Sequence, residues 1–198
     1  MSALFDSSKL SIVIPCFNEE DGILKSIEDV KKNLPLAEII VVDDCSTDGS
    51  AEKIKKIRDI SVVTHEFNKG YGAALKTGMR MASKKYIAWF DSDNEHRASD
   101  LVKMYLTICN TSVAAVIGSR GSSTSGIRSF GKLMIRGLAR LMGTKLGNDI
   151  NCGLRVMERT AIIPFLSVLP NGFSASLTTT MILIHKKRPF IFLSLIHI

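Results

Sequence analysis

Two pairs of acidic residues in the first half of the chain have the types and spacing that could bind a metal ion and a nucleotide. Asp91, Ser92 and Asp93 directly follow the apolar run at residues 86–90. A turn just past the end of a strand lets both carboxylates converge on one cation. Carboxylates suit Mg²⁺ or Mn²⁺, which keep coordination positions open for substrate phosphates. The spacing predicts that Asp91 and Asp93 bind one of these metals; the alternative is two acids that share a turn by chance.

The second pair, Asp43 and Asp44, follows the apolar run at residues 38–42. A carboxylate at the edge of a sheet can accept hydrogen bonds from a base N–H or from ribose hydroxyl groups. The alternative is a turn or a helix cap, which Asp, Ser and Thr favour. The Ser and Thr residues that follow the pair keep both interpretations open.

The elements that must position these carboxylates alternate between strands and helices. Short β-branched runs predict buried parallel strands, and apolar residues at helical spacing predict helices between them. The predicted strands are residues 10–15, 38–42, 61–65, 86–90 and 113–118, and the predicted helices are residues 21–33, 50–57 and 71–81. This order is typical of an α/β protein with a Rossmann-like, doubly wound, mainly parallel sheet, in which ligands bind outside the carboxyl ends of the strands.

Length and composition predict one domain in a reducing compartment. A chain of 198 residues with 45% apolar content can bury one sizeable core. The four cysteines have no metal-ligand spacing, which favours free, buried thiols. The sequence has no basic, apolar leader and no run of 18 apolar residues, and these features predict a cytoplasmic protein.

Basic residues are concentrated in the second half of the chain. Residues 1–95 have a net charge of −3 and residues 96–198 a net charge of +10. Within residues 127–146, basic side chains recur at every fourth position, at Arg128, Lys132, Arg136 and Arg140. A basic amphipathic helix can lie on an anionic membrane surface; the alternative is an ordinary helix packed on the sheet.

Six motifs resemble, in order, those of family-2 glycosyltransferases, and the pattern is similar to dolichyl-phosphate mannose synthases and their bacterial and archaeal relatives. The motifs are IPCFNEE (14–20), VVDDCSTDG (41–49), NKGYGAALKTG (68–78), FDSDNEH (90–96), GSR (118–120) and DINCGLR (149–155). The resemblance implies a GT-A fold in a single domain at residues 1–198. A nucleotide-sugar-binding half is expected at 9–95, an acceptor-binding half at 96–190 and a tail unlike the family at 191–198.

The resemblance also implies the roles of individual residues. The pocket for the base and ribose would be lined by Pro15, Phe17, Glu19, Val42 and Asp44. The metal and the diphosphate would be held by Asp91, Ser92 and Asp93, and Arg120 would contact phosphate through its planar guanidinium. Asp93 and Arg120 are the expected catalytic residues.

The activity that this resemblance implies is metal-dependent, inverting transfer of a hexose from a GDP- or UDP-hexose to a polyprenyl phosphate, either dolichyl or undecaprenyl. The acceptor phosphate is already largely ionised near neutral pH, so no general base is required. The expected location is the cytoplasmic membrane face, with the chain peripheral to the membrane or anchored by a region beyond Ile198. No nucleic-acid partner is expected.

The sequence departs from the family at two places. Phe17 replaces the usual tyrosine and lacks its hydroxyl group. After Gly172 and Phe173 the family has an acidic residue, whereas residues 174–180 here are SASLTTT. The second departure predicts a different acceptor specificity.

Two other functions remain open. One is a family-2 glycosyltransferase that acts on a saccharide or protein hydroxyl, which needs a carboxylate base such as Glu95 or Asp149. The other is an inactive fragment that only binds a nucleotide sugar. A phosphoreceiver domain is excluded by the order of elements, because a full strand and helix precede the strand that ends at Asp43.

Overall fold

The computed structural model describes residues 6–93, 96–120 and 150–195. Its centre is a seven-stranded sheet in the order β3-β2-β1-β4-β6-β5-β7. All strand pairs are parallel except those that β6 makes with β4 and β5. The strands are β1 (Leu10–Cys16), β2 (Glu38–Asp43), β3 (Ser61–Thr64), β4 (Tyr86–Trp89), β5 (Ala115–Arg120), β6 (Arg155–Glu158) and β7 (Phe190–Leu195).

Helices connect and cover these strands. They are α1 (Ile23–Asn33), α2 (Ser50–Lys55), α3 (Tyr71–Met81), α4 (Ala98–Cys109), α5 (Arg159–Ile162) and α6 (Ala175–His185), with a 3₁₀ helix at Ile163–Phe165. Helix α1 turns Ile23, Ile27 and Val30 into the core, as their spacing predicts. The predicted α/β class with a mainly parallel sheet is confirmed.

Strand β1 is the centre of the site-forming half of the sheet. All seven of its residues are buried, because β2 and β4 pair with it on either side and helices cover the sheet. The chain leaves β1 towards β2 on one side and reaches β4 on the other, so the connections diverge at the carboxyl end of β1. Such a switch point opens a crevice in which α/β proteins bind ligands.

Helix α3 packs closely against β1 through a glycine. A Cβ atom on Gly78 would lie 2.3 Å from Cγ1 of Val13, so only the missing side chain allows this approach. The close packing fixes the start of α3, including Tyr71, beside the carboxyl ends of β1 and β4.

Residues 191–195 form most of β7, which pairs in parallel with β5 from Ala115 to Arg120. Since β5 is antiparallel to β6, and β6 to β4, the carboxyl end of β5 lies at the same edge of the sheet as that of β4. The assignment of two functional halves and a separate tail stays a prediction.

Candidate active site

A cavity of about 840 Å³ lies at the carboxyl edge of the sheet. Its volume is in the range usual for small-molecule sites. Seven of the predicted site residues line it: Pro15, Phe17, Glu19, Asp44, Asp91, Ser92 and Asp93. The structure therefore brings the first, second and fourth sequence motifs together at one cavity.

Two predicted residues stand apart from this group. Val42 is fully buried in the core within β2, a strand with buried side chains on both faces of the sheet. Arg120 is the last residue of β5, at the same edge of the sheet as Asp91.

The Asp44 carboxylate is buried and holds the loop before α3. Its Oδ1 accepts a hydrogen bond from the backbone N–H of Lys69 (2.9 Å), and its Oδ2 accepts one from that of Gly70 (2.7 Å). His65 Nδ1 lies 2.6 Å from Oδ1, and its Nε2 lies 2.9 Å from the hydroxyl group of Thr77. The structure thus gives Asp44 a loop-fixing role that the sequence did not indicate, in addition to its place on the cavity wall.

Replacing Asp44 with alanine is expected to weaken the binding of free nucleoside diphosphate by roughly 1–3 kcal/mol, the cost of leaving a polar partner unsatisfied. Calorimetry with UDP and with GDP, without the sugar, measures this change. Asp44→Asn, which retains one acceptor oxygen for the loop, is the matched control for loss of the loop contacts. Wild-type affinity in Asp44→Ala would restrict Asp44 to holding the loop.

Asp91 is fixed by the start of α3. The hydroxyl group of Tyr71 donates a hydrogen bond to Asp91 Oδ1 at 2.8 Å, and His96 Nε2 lies 3.7 Å from Oδ2. A Cβ atom on Gly153 would lie 2.4 Å from Oδ2, so the glycine of the sixth motif makes room for this carboxylate. Burial and the neighbouring Asp91 charge raise the pKa of Tyr71 well above its usual value, which keeps the phenol protonated as a donor.

Burial raises the pKa of Asp91, and the charge of Asp93 adds to this, while the Tyr71 hydrogen bond and the charges of His96 and Arg155 act in the opposite direction. Arg155 is fully buried, stacks on Trp89 at 4.9 Å and donates a hydrogen bond to the carbonyl group of Ser176. The raised pKa shows that the site, without a cation, disfavours the charged form of Asp91.

This raised pKa predicts the sign of a stability change. An acid with a raised pKa binds its proton more tightly in the folded state than in the unfolded state. Protonation of the acid therefore stabilises the fold at low pH, and this stabilisation is lost as the pH rises through the pKa of the folded state. Asp91→Asn, which removes the charge, is therefore expected to raise the melting temperature of the metal-free protein at neutral pH. Thermal unfolding measured from neutral pH down to the ordinary aspartate pKa of 3.8 should show the difference shrinking. A lower melting temperature at neutral pH would contradict the prediction.

Asp93 and Glu19 complete a region of negative charge. Asp93 is exposed, and the pKa of Glu19 is raised by burial and then by the charges of Asp93, Asp48 and Asp91. Within the part of the chain that the structure describes, no three histidine, cysteine or acidic side chains form a complete metal site. The carboxylates of Asp91 and Asp93 are of the type that fits Mg²⁺ or Mn²⁺, whose remaining ligands can be substrate phosphates and water.

Ser92 holds the turn between the two aspartates. Its hydroxyl group donates to the carbonyl group of Pro15 at 2.9 Å, and its own carbonyl group accepts from the hydroxyl group of Ser26. Buried hydrogen bonds of this kind fix the turn against the end of β1. Phe17, two residues after Pro15, lines the cavity, and 45% of its surface is exposed.

The cavity is also lined by residues that the sequence did not assign to the site. They include Tyr71, Asn151, Gly153, Phe173, Ser176 and Leu177. Tyr71 and Phe173 resemble core residues in the sequence, and only the long-range packing of α3 against residues 169–173 places them at the cavity. The available signal was that Tyr71, Asn151 and Gly153 lie within the third and sixth motifs.

Several predictions lie outside the described residues. These are the alternative bases Glu95 and Asp149 and the basic stripe of Arg128, Lys132, Arg136 and Arg140. Where the structure describes the chain, none of its helices has the length and apolar character needed to cross a bilayer.

Comparison with known proteins agrees with this geometry. The chain is 27% identical over 176 residues to the UDP-N-acetylglucosamine–dolichyl-phosphate N-acetylglucosaminyltransferase of Methanococcus voltae. This match covers 76% of this chain and 70% of the relative. It is also 27% identical over 192 residues to the dolichyl-phosphate beta-glucosyltransferase of Saccharomyces cerevisiae. This match covers 81% of this chain and 58% of the relative.

Among solved structures, glucosyl-3-phosphoglycerate synthase from Mycobacterium tuberculosis, in complex with Mn²⁺, UDP-glucose and phosphoglyceric acid, superposes with a TM-score of 0.73. The identity is 19%, and the match covers 94% of this chain and 70% of the synthase. This likeness confirms the GT-A fold. The sequence profile of Glycosyl transferase family 2 matches residues 11–163, and the chain therefore belongs to glycosyltransferase family 2.

Proposed function

We propose that this chain transfers a hexose from a GDP- or UDP-hexose to a polyprenyl phosphate, with inversion at the anomeric carbon. The observation that carries the proposal is the asymmetry of the cavity. The described carboxylates, Asp44, Asp91, Asp93 and Glu19, lie on the side of the β1, β2 and β4 ends, whereas the start of α6 contributes Ser174, Ser176 and Leu177. Among the described residues, the start of α6 offers the cavity hydroxyl and apolar groups and no carboxylate, which favours an acceptor that brings its own charged nucleophile.

The carboxylate side suits the donor. Pro15 and Phe17 offer an apolar surface to the base, and Asp44 lies where it can accept hydrogen bonds from the base or ribose. Asp91 and Asp93 would hold Mg²⁺ or Mn²⁺ against the diphosphate. When bound, the metal neutralises the charge that develops on the departing diphosphate.

The acceptor side suits a phosphate monoester. An oxygen of the acceptor phosphate forms the new bond to the anomeric carbon, the bond from that carbon to the donor diphosphate breaks, and the nucleoside diphosphate departs with the electron pair. A single displacement inverts the configuration. The phosphate is ionised near neutral pH, so this step does not need a protein base, and Arg120 would stabilise the phosphate charge.

The relatives support the acceptor class, because two that match most of this chain carry dolichyl phosphate in their names. The basic residues at 128, 132, 136 and 140 would favour an anionic surface at the cytoplasmic membrane face, where such an acceptor presents its phosphate.

The test is a transfer assay with labelled UDP- and GDP-hexoses and Mn²⁺ or Mg²⁺. Dolichyl phosphate and undecaprenyl phosphate are compared with soluble saccharides and peptides as acceptors. We expect label in the lipid phosphate fraction and its loss when the metal is chelated. Transfer to a soluble hydroxyl group with none to either lipid phosphate would overturn the proposal in favour of a hydroxyl acceptor.

A further inference from the structure

Tyr71 contacts both walls of the cavity. Its hydroxyl group donates to Asp91 Oδ1 on the donor side at 2.8 Å. Its ring stacks on Phe173 on the acceptor side, with the ring centroids 5.3 Å apart and the planes inclined by 18°. One side chain therefore connects a predicted metal ligand with the loop that precedes α6.

Residues 169–173 form that loop, and hydrogen bonds attach it to α3. The backbone N–H of Ala73 donates to the carbonyl group of Asn171 at 3.1 Å. Lys76 Nζ donates to the carbonyl group of Leu169 at 2.9 Å and to Oδ1 of Asn171 at 2.5 Å. A Cβ atom on Gly72 would lie 2.2 Å from the carbonyl oxygen of Pro170. The first turns of α3 and residues 169–173 are thus packed backbone to backbone, with Tyr71 at the end nearest the cavity.

Phe173 is the most exposed large apolar residue among those described, at 84%. Its ring lines the cavity mouth, and its contact with Tyr71 is the stacking interaction that the structure gives it. An aromatic ring exposed to this extent has a cost in water. An apolar ligand that covered the ring would remove this cost.

We propose that Tyr71 is a positioning residue that couples the two substrates: its hydroxyl group orients the Asp91 carboxylate for the donor-bound metal, and its ring holds Phe173 against the acceptor. The inference rests on the proposed function and deepens it. It assigns to Phe173 contact with the first, apolar units of the acceptor chain, next to the phosphate.

The two carboxylate oxygens of Asp91 have different neighbours, and this difference is the physical basis of the proposal. Oδ1 accepts from Tyr71, while Oδ2 lies beside Gly153, where a side chain would collide with it, and 3.7 Å from His96. Fixing one oxygen fixes the direction of the other. A carboxylate held in this way loses little conformational freedom when it binds a cation, which is how a supporting hydrogen bond strengthens metal binding.

The donor arm of the test needs no catalysis. The affinity of UDP is measured by calorimetry with Mn²⁺ and with EDTA, and the ratio of the two dissociation constants defines the metal effect. Tyr71→Phe keeps the ring and removes the hydroxyl group, and we expect it to reduce the metal effect about tenfold, the size that one hydrogen bond to a charged group supports. Tyr86→Phe, at the start of β4 and the opposite end of the sheet, is the matched control and should leave the ratio unchanged.

The acceptor arm uses steady-state kinetics with a polyprenyl phosphate. Phe173→Ala should raise the acceptor KM at least fivefold without a change in the metal effect, and Phe173→Trp should restore it. In a Tyr71→Leu background, which removes the stacking partner, Phe173→Ala should have a much smaller effect on the acceptor KM, because coupled residues are not additive. Circular dichroism confirms that each variant is folded.

The outcomes separate the inference from the function on which it rests. If UDP binding depends on metal and Tyr71→Phe shows the wild-type metal effect, the role of Tyr71 is overturned, whereas the proposed donor site is not. Additive effects of Tyr71→Leu and Phe173→Ala overturn the coupling. UDP binding by the wild type that does not depend on metal overturns the proposed donor site and, with it, this inference.

Discussion

Replacement of Asp91 or Asp93 by asparagine is expected to abolish the metal-dependent part of donor binding and to slow transfer by about 10²- to 10³-fold, the size of effect that follows loss of one preorganised electrostatic contact. Asparagine has nearly the shape of aspartate but half of its acceptor oxygens and no charge, so the turn held by Ser92 should be preserved. Calorimetry with a nucleotide sugar, with and without chelator, measures the binding, and a single-turnover assay measures the transfer.

The matched control for these two variants is Asp21→Asn, an exposed aspartate at the start of the first helical region. It removes the same charge from the surface without touching the cavity, so donor affinity and rate should stay at the wild-type value. Donor binding that is unchanged in both Asp91→Asn and Asp93→Asn would refute their assignment as metal ligands. A fall in Asp93→Asn alone would restrict the metal to the exposed carboxylate.

Local sequence patterns predict strands β1, β2 and β4 well. Apart from Glu38 at the start of β2, all their residues are buried, so their apolar runs are nearly continuous and easy to recognise. Acidic residues that follow such a run must emerge at the carboxyl edge of the sheet. The sequence therefore places Asp44, Asp91 and Asp93 together at one edge, where the structure has the cavity.

The side of the sheet that β5, β6 and β7 form is less visible in the sequence. Strand β6 has four residues and begins with a buried arginine, Arg155, whose charge is offset by stacking on Trp89 and by bonds to carbonyl groups. A short antiparallel strand with a charged residue has neither a continuous apolar run nor a clear alternation. Its partners β4 and β5 are distant in sequence, so the pairing depends on tertiary structure.

Tertiary packing also explains the residues that the sequence overlooked. Val42 is buried within β2, and its role in the base pocket stays a prediction. Tyr71 follows a glycine at the start of an apolar helix, where an aromatic residue usually indicates core packing. Its contact with Asp91 exists only because Gly78 brings α3 close to β1.

The carboxyl end of β5 provides the second predicted source of charge for the reaction. The backbone N–H of Gly118 donates to the carbonyl group of Leu154 at 2.9 Å, which attaches β5 to the segment containing Gly153. Gly153 in turn lies against Asp91. Arg120, two residues after Gly118, ends β5 at the same edge of the sheet as Asp91.

Arg120→Ala is expected to reduce transfer to a polyprenyl phosphate by about 10²-fold or more, because a guanidinium that stabilises phosphate charge acts mainly in the transition state. Binding of UDP or GDP should change little, and partitioning onto anionic vesicles should stay at the wild-type level. Arg120→Lys should recover only part of the rate, since an ammonium group keeps the charge but lacks the planar fork that binds two oxygens. Arg97→Ala, an exposed arginine at the start of α4, is the control for loss of surface charge. Lipid-phosphate transfer that survives Arg120→Ala at the wild-type rate would exclude Arg120 from the reaction, and the phosphate charge would then have to be stabilised by the metal held at Asp91 and Asp93.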